Sequence, residues 1–304
     1  MRQYLIIACL LACIGAQIVF YHILNTPRWG TYLSASRGDG EAVQVEINDY
    51  YAETADGIQK YFVAAYLQIN YEYLDCLDPQ IKKSVNDLRK TLIDKAIENG
   101  WKHYDWYIYE APSDAGYDEF RDFFKEVDRR TDGDDKLILI IVGHGEEGDN
   151  GYYRYVLGDG TKVCHDALVG LMNTLGPPLD FVLLGTCHGY SLWEGDGGTM
   201  LSTLKSAART YEIWMWSGVL HDSFLVKTLS IMADLISQGK TSTGEVFSKV
   251  QRTYGSWHRS WYKCDGVTIL DFVESYGVYS SETPLDGTTG TIIMPPSGIV
   301  ITPY

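Results

Sequence analysis

Three short, almost uninterrupted apolar runs constrain the fold of this chain more than any other feature of the sequence. They cover 61–67, 137–142 and 181–184. A strand that is apolar on both faces must be covered on both faces, which is typical of parallel sheets flanked by helices. Because parallel connections need a crossover, we expect helices between these runs.

Segments with helical spacing do alternate with the apolar runs. Ile81, Val85, Leu88 and Leu92 recur at helical intervals before Asn99-Gly100, a typical helix end. We therefore predict a three-layer α/β fold with a mostly parallel central sheet and helices on both faces. The further predicted strands are 106–109, 152–157, 212–216 and 268–273, and the predicted helices are 79–98, 117–127, 167–175, 200–208, 224–236 and 244–254.

The composition narrows the class of protein. The chain has 304 residues, of which 45% are hydrophobic and 21% charged, an ordinary globular balance with ample length for a core. Its formal net charge of −15 repels phosphate backbones, so we expect no nucleic-acid partner. The cysteines beyond the N-terminal apolar segment are scattered and form no CxxC pair, which predicts neither a disulfide framework nor a metal site.

The N-terminal segment is long and apolar enough to matter for a membrane. Tyr4–Leu24 follows a single Arg2, and Ile14-Gly15-Ala16 offers small residues for cleavage. The segment is either a single-pass anchor or a cleaved signal, so we expect a secreted, periplasmic or otherwise extracytoplasmic, or membrane-anchored protein. The predicted organisation is 1–25 signal or anchor, 26–58 linker with room for a short edge element, 59–279 a single catalytic domain, and 280–304 a Thr/Pro/Gly-rich tail.

Two residues whose side chains could take part in catalysis each follow a buried strand. His144 comes just after 137–142, and Cys187 just after 181–184. Ligands of such sheets gather at the carboxyl ends of the strands, so both side chains face one crevice if the strands are neighbours. An imidazole beside a thiol either lowers the thiol pKa or takes its proton. The N–H groups of Gly145 and Cys187 are candidate donors to a developing oxyanion.

This order of motifs resembles the caspase-like cysteine peptidases, which include caspases, metacaspases, paracaspases, legumain and gingipain. In that group a hydrophobic strand ends in His-Gly and a later one ends in Cys. Cys187-His188-Gly189 is similar to the Cys-His-Ser-Gly of metacaspases, and Gly158-Asp159-Gly160 followed by a helix also matches their order. Ser217–Phe224 is similar to the segment that lines their substrate groove. The resemblance spans about Lys60 to Val273.

The resemblance implies a caspase-like endopeptidase acting on protein or peptide substrates. His144 would be the base or orienting acid, and Cys187 the nucleophile. Ser217 and Gly218 would line the substrate groove. The chemistry would need no metal or organic cofactor, with calcium as a candidate activator, since some metacaspases need it.

The residue preferred before the scissile bond (P1) is less defined. Metacaspases usually carry an Asp two positions before the Cys that helps bind a basic P1 residue, and Gly185 stands there in this chain. The crevice loops are nevertheless acidic, with Glu146 on one side and Asp222 near a third strand end, which favours Arg or Lys. The alternative is that these carboxylates are solvated loop charges.

Two motifs that suggest nucleotide binding are rejected. Gly143–Gly148 spells GxGxxG, but acidic residues crowd it and no helix opens after it. Gly239-Lys240-Thr241 lacks the first glycine of a phosphate loop. Two other functions stay open: a catalytically silent, membrane-tethered scaffold of the same fold, and a transamidase or acyltransferase using the same His-Cys dyad. The sequence does not indicate the oligomeric state.

Overall fold

The computed structural model describes most of the region predicted as the catalytic domain. The described residues are 32–36, 42–46, 55–68, 78–148, 153–189, 212–216, 220, 222–240, 245–246, 249–250, 260–264, 267–271 and 275–279. The N-terminal apolar segment, the predicted helix at 200–208 and the tail from 280 lie outside them. Within the described ranges, no helix has the length and apolarity needed to cross a bilayer.

The described part of the chain contains thirteen strands and four long helices. The strands are β1 Tyr32–Ser36, β2 Ala42–Glu46, β3 Lys60–Leu67, β4 His103–Glu110, β5 Lys136–Val142, β6 His144–Glu147, β7 Tyr153–Val156, β8 Lys162–Cys164, β9 Leu179–Gly185, β10 Glu212–Trp216, β11 Ser260–Cys264, β12 Val267–Asp271 and β13 Ser275–Tyr279. The helices are α1 Asp78–Glu98, α2 Tyr117–Arg130, α3 His165–Thr174 and α4 Asp222–Ser237.

The central sheet has the order β13-β10-β9-β5-β3-β4. Five of its strands, from β10 to β4, run parallel, and β13 pairs antiparallel with β10 at one edge. Side chains of β3 alternate between two cores: Phe62 and Tyr66 pack with α2 and α3, whereas Tyr61 and Val63 pack with α1 and α4. Helices therefore cover both faces, which confirms the predicted three-layer α/β fold.

A second sheet lies beside the carboxyl end of β5. Its five strands have the order β2-β1-β8-β7-β6, and all of their pairings are antiparallel. The β1–β2 hairpin falls in the range predicted as a linker, and β6 falls in what was predicted as a loop. Both differences have the same cause: these short strands lack apolar runs, so the local pattern gives no strong signal for a strand. The predicted strand at 268–273 is β12, which pairs with β11, while the unpredicted β13 joins the central sheet.

The chain passes from the central sheet into the second sheet through a single residue, Gly143. A Cβ at this position would overlap the Tyr155 hydroxyl and lie 2.7 Å from the ring carbon that bears it. The hydroxyl is held in place because it donates a hydrogen bond of 3.0 Å to the Val142 carbonyl. Tyr155 is fully buried, so it has no room to move aside. Any side chain at 143 would therefore force the two sheets apart.

We expect Gly143→Ala to lower the free energy of unfolding by about 1–3 kcal/mol, the usual cost of overpacking a core. The matched control is Gly133→Ala, because Gly133 is exposed and an added Cβ there meets no atom within 4 Å. Urea unfolding of both variants measures the difference. Equal stabilities for the two variants would contradict the tight junction at Gly143.

Candidate active site

The strands that carry the two candidate residues are direct neighbours. β5 and β9 run parallel, and Val142 lies opposite Gly185 at their carboxyl ends. The pairing continues one step further, since the Gly143 N–H donates to the Gly185 carbonyl at 3.3 Å. His144 and Cys187 therefore leave the same edge of the sheet on adjacent strands, as the sequence hypothesis requires.

The backbones that follow these strands touch. A Cβ on Gly145 would overlap the Cys187 carbonyl oxygen and lie 2.9 Å from a ring carbon of Tyr153. Gly145 is buried at this contact. Glycine is thus required after His144 because the Cys187 peptide occupies the space of a side chain. The two segments that supply the predicted oxyanion donors are in van der Waals contact.

Tyr153 contacts both segments. The sequence analysis did not identify it as a residue of the site. Its side chain is fully buried, and its hydroxyl shares a hydrogen bond of 2.8 Å with the Thr186 hydroxyl, directly before Cys187. Its ring lies against Gly145. Burial raises the pKa of the phenol, so it remains neutral. The alternation of 152–157 predicted a strand here, but no local signal indicated which tyrosine reaches the site.

The surroundings of His144 favour its neutral form. It is the first residue of β6 and pairs with Val156 on β7. The side chain reaches solvent, yet the protein around it dehydrates the imidazole and lowers its pKa from the usual 6.5. The Glu146 carboxylate opposes this shift, and His188 and Lys162 reinforce it. The imidazole is therefore mostly neutral at pH 7, which is the form that can act as a base.

The Cys187 thiol is half-buried and lies against the backbone N–H and the backbone carbonyl of Leu220. The Leu220 N–H donates to Sγ at 3.3 Å, and the thiol donates to the Leu220 carbonyl at 3.6 Å. Burial raises the pKa of the thiol, the Leu220 N–H opposes that rise, and the Asp222 carboxylate adds to it. The resting site therefore contains a protonated thiol. Of the two roles open to the imidazole, this favours taking the proton over maintaining an ion pair.

His188, directly after the candidate nucleophile, has an unusual backbone conformation. Its φ is +55°, in the left-handed region, which typically costs a residue other than glycine about 1–3 kcal/mol. Its Nδ1 lies 3.9 Å from a Glu147 carboxylate oxygen. Backbone strain of this kind clusters at functional sites, so this conformation is consistent with a specialised role for this edge.

The predicted substrate-binding residues differ in what surrounds them. Glu146 lies 2.7 Å from the Lys162 ammonium and 3.8 Å from the Arg154 guanidinium, so its charge is largely compensated. Asp222 is the first residue of α4 and lies close enough to Cys187 to act on its pKa. Ser217 and Gly218 are outside the described residues. Of the acidic residues proposed to attract a cationic P1 side chain, Asp222 is the better placed.

Gly185 takes the position where metacaspases usually carry an aspartate. A Cβ there would lie 3.1 Å and 3.2 Å from the two methyl carbons of Leu225, on α4, and 3.4 Å from a methyl carbon of Val142. The space that an aspartate side chain would fill is thus occupied by aliphatic groups. Any recognition of a basic residue must use other carboxylates.

A group of carboxylates that could hold a cation lies at the other edge of the sheet. Oxygens of Asp56, Asp132 and Asp134 lie within 4.8 Å of one another. These residues precede β3 and β5, at the amino-terminal edge, whereas His144 and Cys187 follow β5 and β9. The Asp132 oxygens already accept hydrogen bonds from the Asp56 and Asp134 N–H groups. The role of calcium as an activator therefore stays a prediction, and a cation here would not touch the thiol.

Asp222→Asn is expected to speed alkylation of Cys187 by about threefold at pH 7.5, because removing the carboxylate charge lowers the thiol pKa. Asp234→Asn is the matched control, since Asp234 is exposed on the same helix. Peptide-resolved mass spectrometry after timed iodoacetamide treatment gives the rates. A rate that is unchanged or slower in Asp222→Asn would show that this carboxylate does not act on the sulfur.

No family model and no curated protein matches this chain. Among solved structures, it is similar to the crystal structure of protein GSU0716 from Geobacter sulfurreducens, with 12% sequence identity and a TM-score of 0.40. That similarity covers 70% of this chain and 92% of the other. A likeness of this size assigns no activity, so any functional proposal depends on the geometry of the site.

Proposed function

We propose that this chain is a caspase-like cysteine endopeptidase in which Cys187 is the nucleophile and His144 accepts its proton. The observation that carries the proposal is the contact between Gly145 and the Cys187 carbonyl, because it joins the His-Gly and Cys segments at one sheet edge. The order of a His-Gly strand before a Cys strand within a three-layer α/β fold adds support. A thiol and an imidazole at the carboxyl edge of a parallel sheet suit acyl transfer.

The chemistry starts from neutral partners. As the substrate carbonyl carbon meets Sγ, the S–H bond breaks, its proton passes to the His144 imidazole, and the S–C bond forms. The carbonyl π electrons move to the oxygen, where the Gly145 and Cys187 N–H groups would donate hydrogen bonds. Collapse of this intermediate breaks the C–N bond, and the leaving amine takes the proton from His144. The product at this stage is a thioester on Cys187.

Water then completes the hydrolysis. It gives a proton to His144 as its oxygen attacks the thioester carbon, and the C–S bond breaks with its electron pair on sulfur. The sulfur recovers the proton from the imidazolium, which restores the neutral pair. The raised pKa of Cys187 and the lowered pKa of His144 support this route, since both groups begin and end each cycle uncharged.

A basic P1 residue is the proposed preference. Asp222 acts on the sulfur electrostatically, so a cationic side chain bound beside the scissile bond would meet its charge. Glu146 contributes less, because Lys162 already neutralises it. The preference would then depend mainly on one carboxylate at the start of α4.

A catalytically silent interaction domain is the second candidate. The same raised pKa of Cys187 favours it, because an inert buried thiol also stays protonated. Contact of Sγ with both the backbone N–H and the backbone carbonyl of Leu220 would suit a packed structural cysteine as well. Only reactivity separates the two functions.

The main test compares the protein with its Cys187→Ala variant on peptides carrying Arg, Lys, Asn or Asp at P1, with calcium and a reducing agent present. We expect cleavage after Arg and Lys, and a loss of at least about a thousandfold in kcat/KM when the nucleophile is removed. Cys164→Ala is the control, because Cys164 ends β8 in the second sheet and follows neither of the two strands that lead to the site. Equal cleavage by all three proteins, or none by any, would favour the silent domain.

The pH dependence gives a second test. The ascending limb of kcat/KM should lie below pH 6.5, because His144 must lose its proton and its pKa is lowered. Glu146→Gln removes a charge that raises this pKa, so the limb should move to more acidic pH. Lys162→Gln removes a charge that lowers it, so the limb should move the opposite way. Shifts in the same direction would show that another group controls the limb.

A further inference from the structure

The backbone N–H and the backbone carbonyl of Leu220 both contact the sulfur of Cys187. The Leu220 carbonyl oxygen lies 3.6 Å from Sγ and can accept a hydrogen bond from the thiol. The Leu220 nitrogen lies 3.3 Å from Sγ and donates a hydrogen bond to it. When the proton leaves, the first bond is lost and the second becomes charge-assisted, which typically makes a hydrogen bond shorter and stronger.

The Leu220 backbone is positioned by the packing of its own side chain. The Leu220 side chain is 8% exposed and belongs to the core between the central sheet and the α1–α4 layer. Phe224 and Leu225, on the first turn of α4, are in the same core. A donor fixed by core packing loses little freedom when the charge forms, which is the property of a preorganised electrostatic site.

We propose that the Leu220 N–H is a catalytic donor that stabilises the Cys187 thiolate, separately from the predicted oxyanion donors Gly145 and Cys187. Its use in catalysis rests on the proposed peptidase function, but its action on the thiol does not. In the attack step the S–H proton passes to His144, the electron pair stays on sulfur, and the Leu220 N–H holds that charge until the S–C bond forms.

The surroundings of the thiol explain why such a donor is needed. Burial and the Asp222 carboxylate both disfavour the thiolate, and Leu220 N–H and the amide of Cys187 itself oppose them. The other titratable groups near this edge are the neutral Tyr153 phenol, the His144 and His188 imidazoles, and the charged side chains of Glu146, Glu147 and Lys162. Without the Leu220 N–H, proton transfer to a weakly basic imidazole would be less favourable.

The sharpest test removes this N–H and keeps the Leu220 side chain. Replacing Leu220 with its α-hydroxy acid turns the peptide into an ester and leaves the side chain in place. We expect the midpoint of Cys187 alkylation by iodoacetamide to rise by about one pH unit, so that alkylation at a fixed pH below the midpoint slows about tenfold. The same hydroxy acid at Leu229, in the interior of α4, is the control for general weakening of the helix.

The alkylation midpoints of the variants at 220 and 229 test the proposal. A shift at 220 with none at 229 supports the donor, whereas no shift at 220, or equal shifts at both, overturns it. A second measurement uses the unmodified protein labelled with ¹⁵N-leucine. As pH rises, the chemical shift of the Leu220 amide should change with the same midpoint as Cys187 alkylation. An amide whose shift does not respond to ionisation of Cys187 also overturns the proposal.

The alkylation readout needs no peptidase activity, so the two proposals can fail separately. A shifted midpoint in a protein that cleaves no peptide would refute the peptidase function and leave the donor in place. An unshifted midpoint in an active peptidase would refute the donor alone.

Discussion

The contact that organises this molecule is the parallel pairing of β5 with β9 and its continuation past the ends of both strands. The ladder carries on from Val142–Gly185 to the bond between the Gly143 N–H and the Gly185 carbonyl. From there Gly145 packs on the Cys187 peptide. Because hydrogen bonds and close packing hold both segments, the sheet sets the relative position of the His144 and Cys187 backbones.

The second sheet turns this edge into a supported site. β6 continues directly from β5, so the strand that carries His144 is anchored by its pairing with β7. Tyr153, on β7, then reaches back to Thr186 beside the thiol. On the other side, the Leu220 N–H donates to the sulfur, and Asp222 at the start of α4 acts on its pKa. Elements from both sheets and one helix thus surround a single thiol that burial keeps protonated.

The amino-acid pattern was sufficient to predict the central architecture. Strands such as Leu137–Val142 are apolar at every position, and only a sheet covered on both faces satisfies them. Helix α2 was equally readable, since Phe120, Phe123 and Val127 recur on one face. The weakly patterned strands β6 and β13 were missed: neither contains an apolar run, and β13 joins the central sheet through β10, far along the chain. Contacts of that kind leave no periodic signal in a single sequence.

The sequence by itself determined the fold class and the candidates for chemistry, because burial on both faces and residue type can be read locally. Tertiary structure decided which carboxylate acts on the sulfur: Asp222 remains close, while Lys162 and Arg154 compensate Glu146. It also brought the Tyr153 hydroxyl to Thr186, next to Cys187, and the Leu220 N–H to the Cys187 sulfur. These are distances between residues remote in the chain, and pKa values and hydrogen bonds depend on such distances rather than on local pattern.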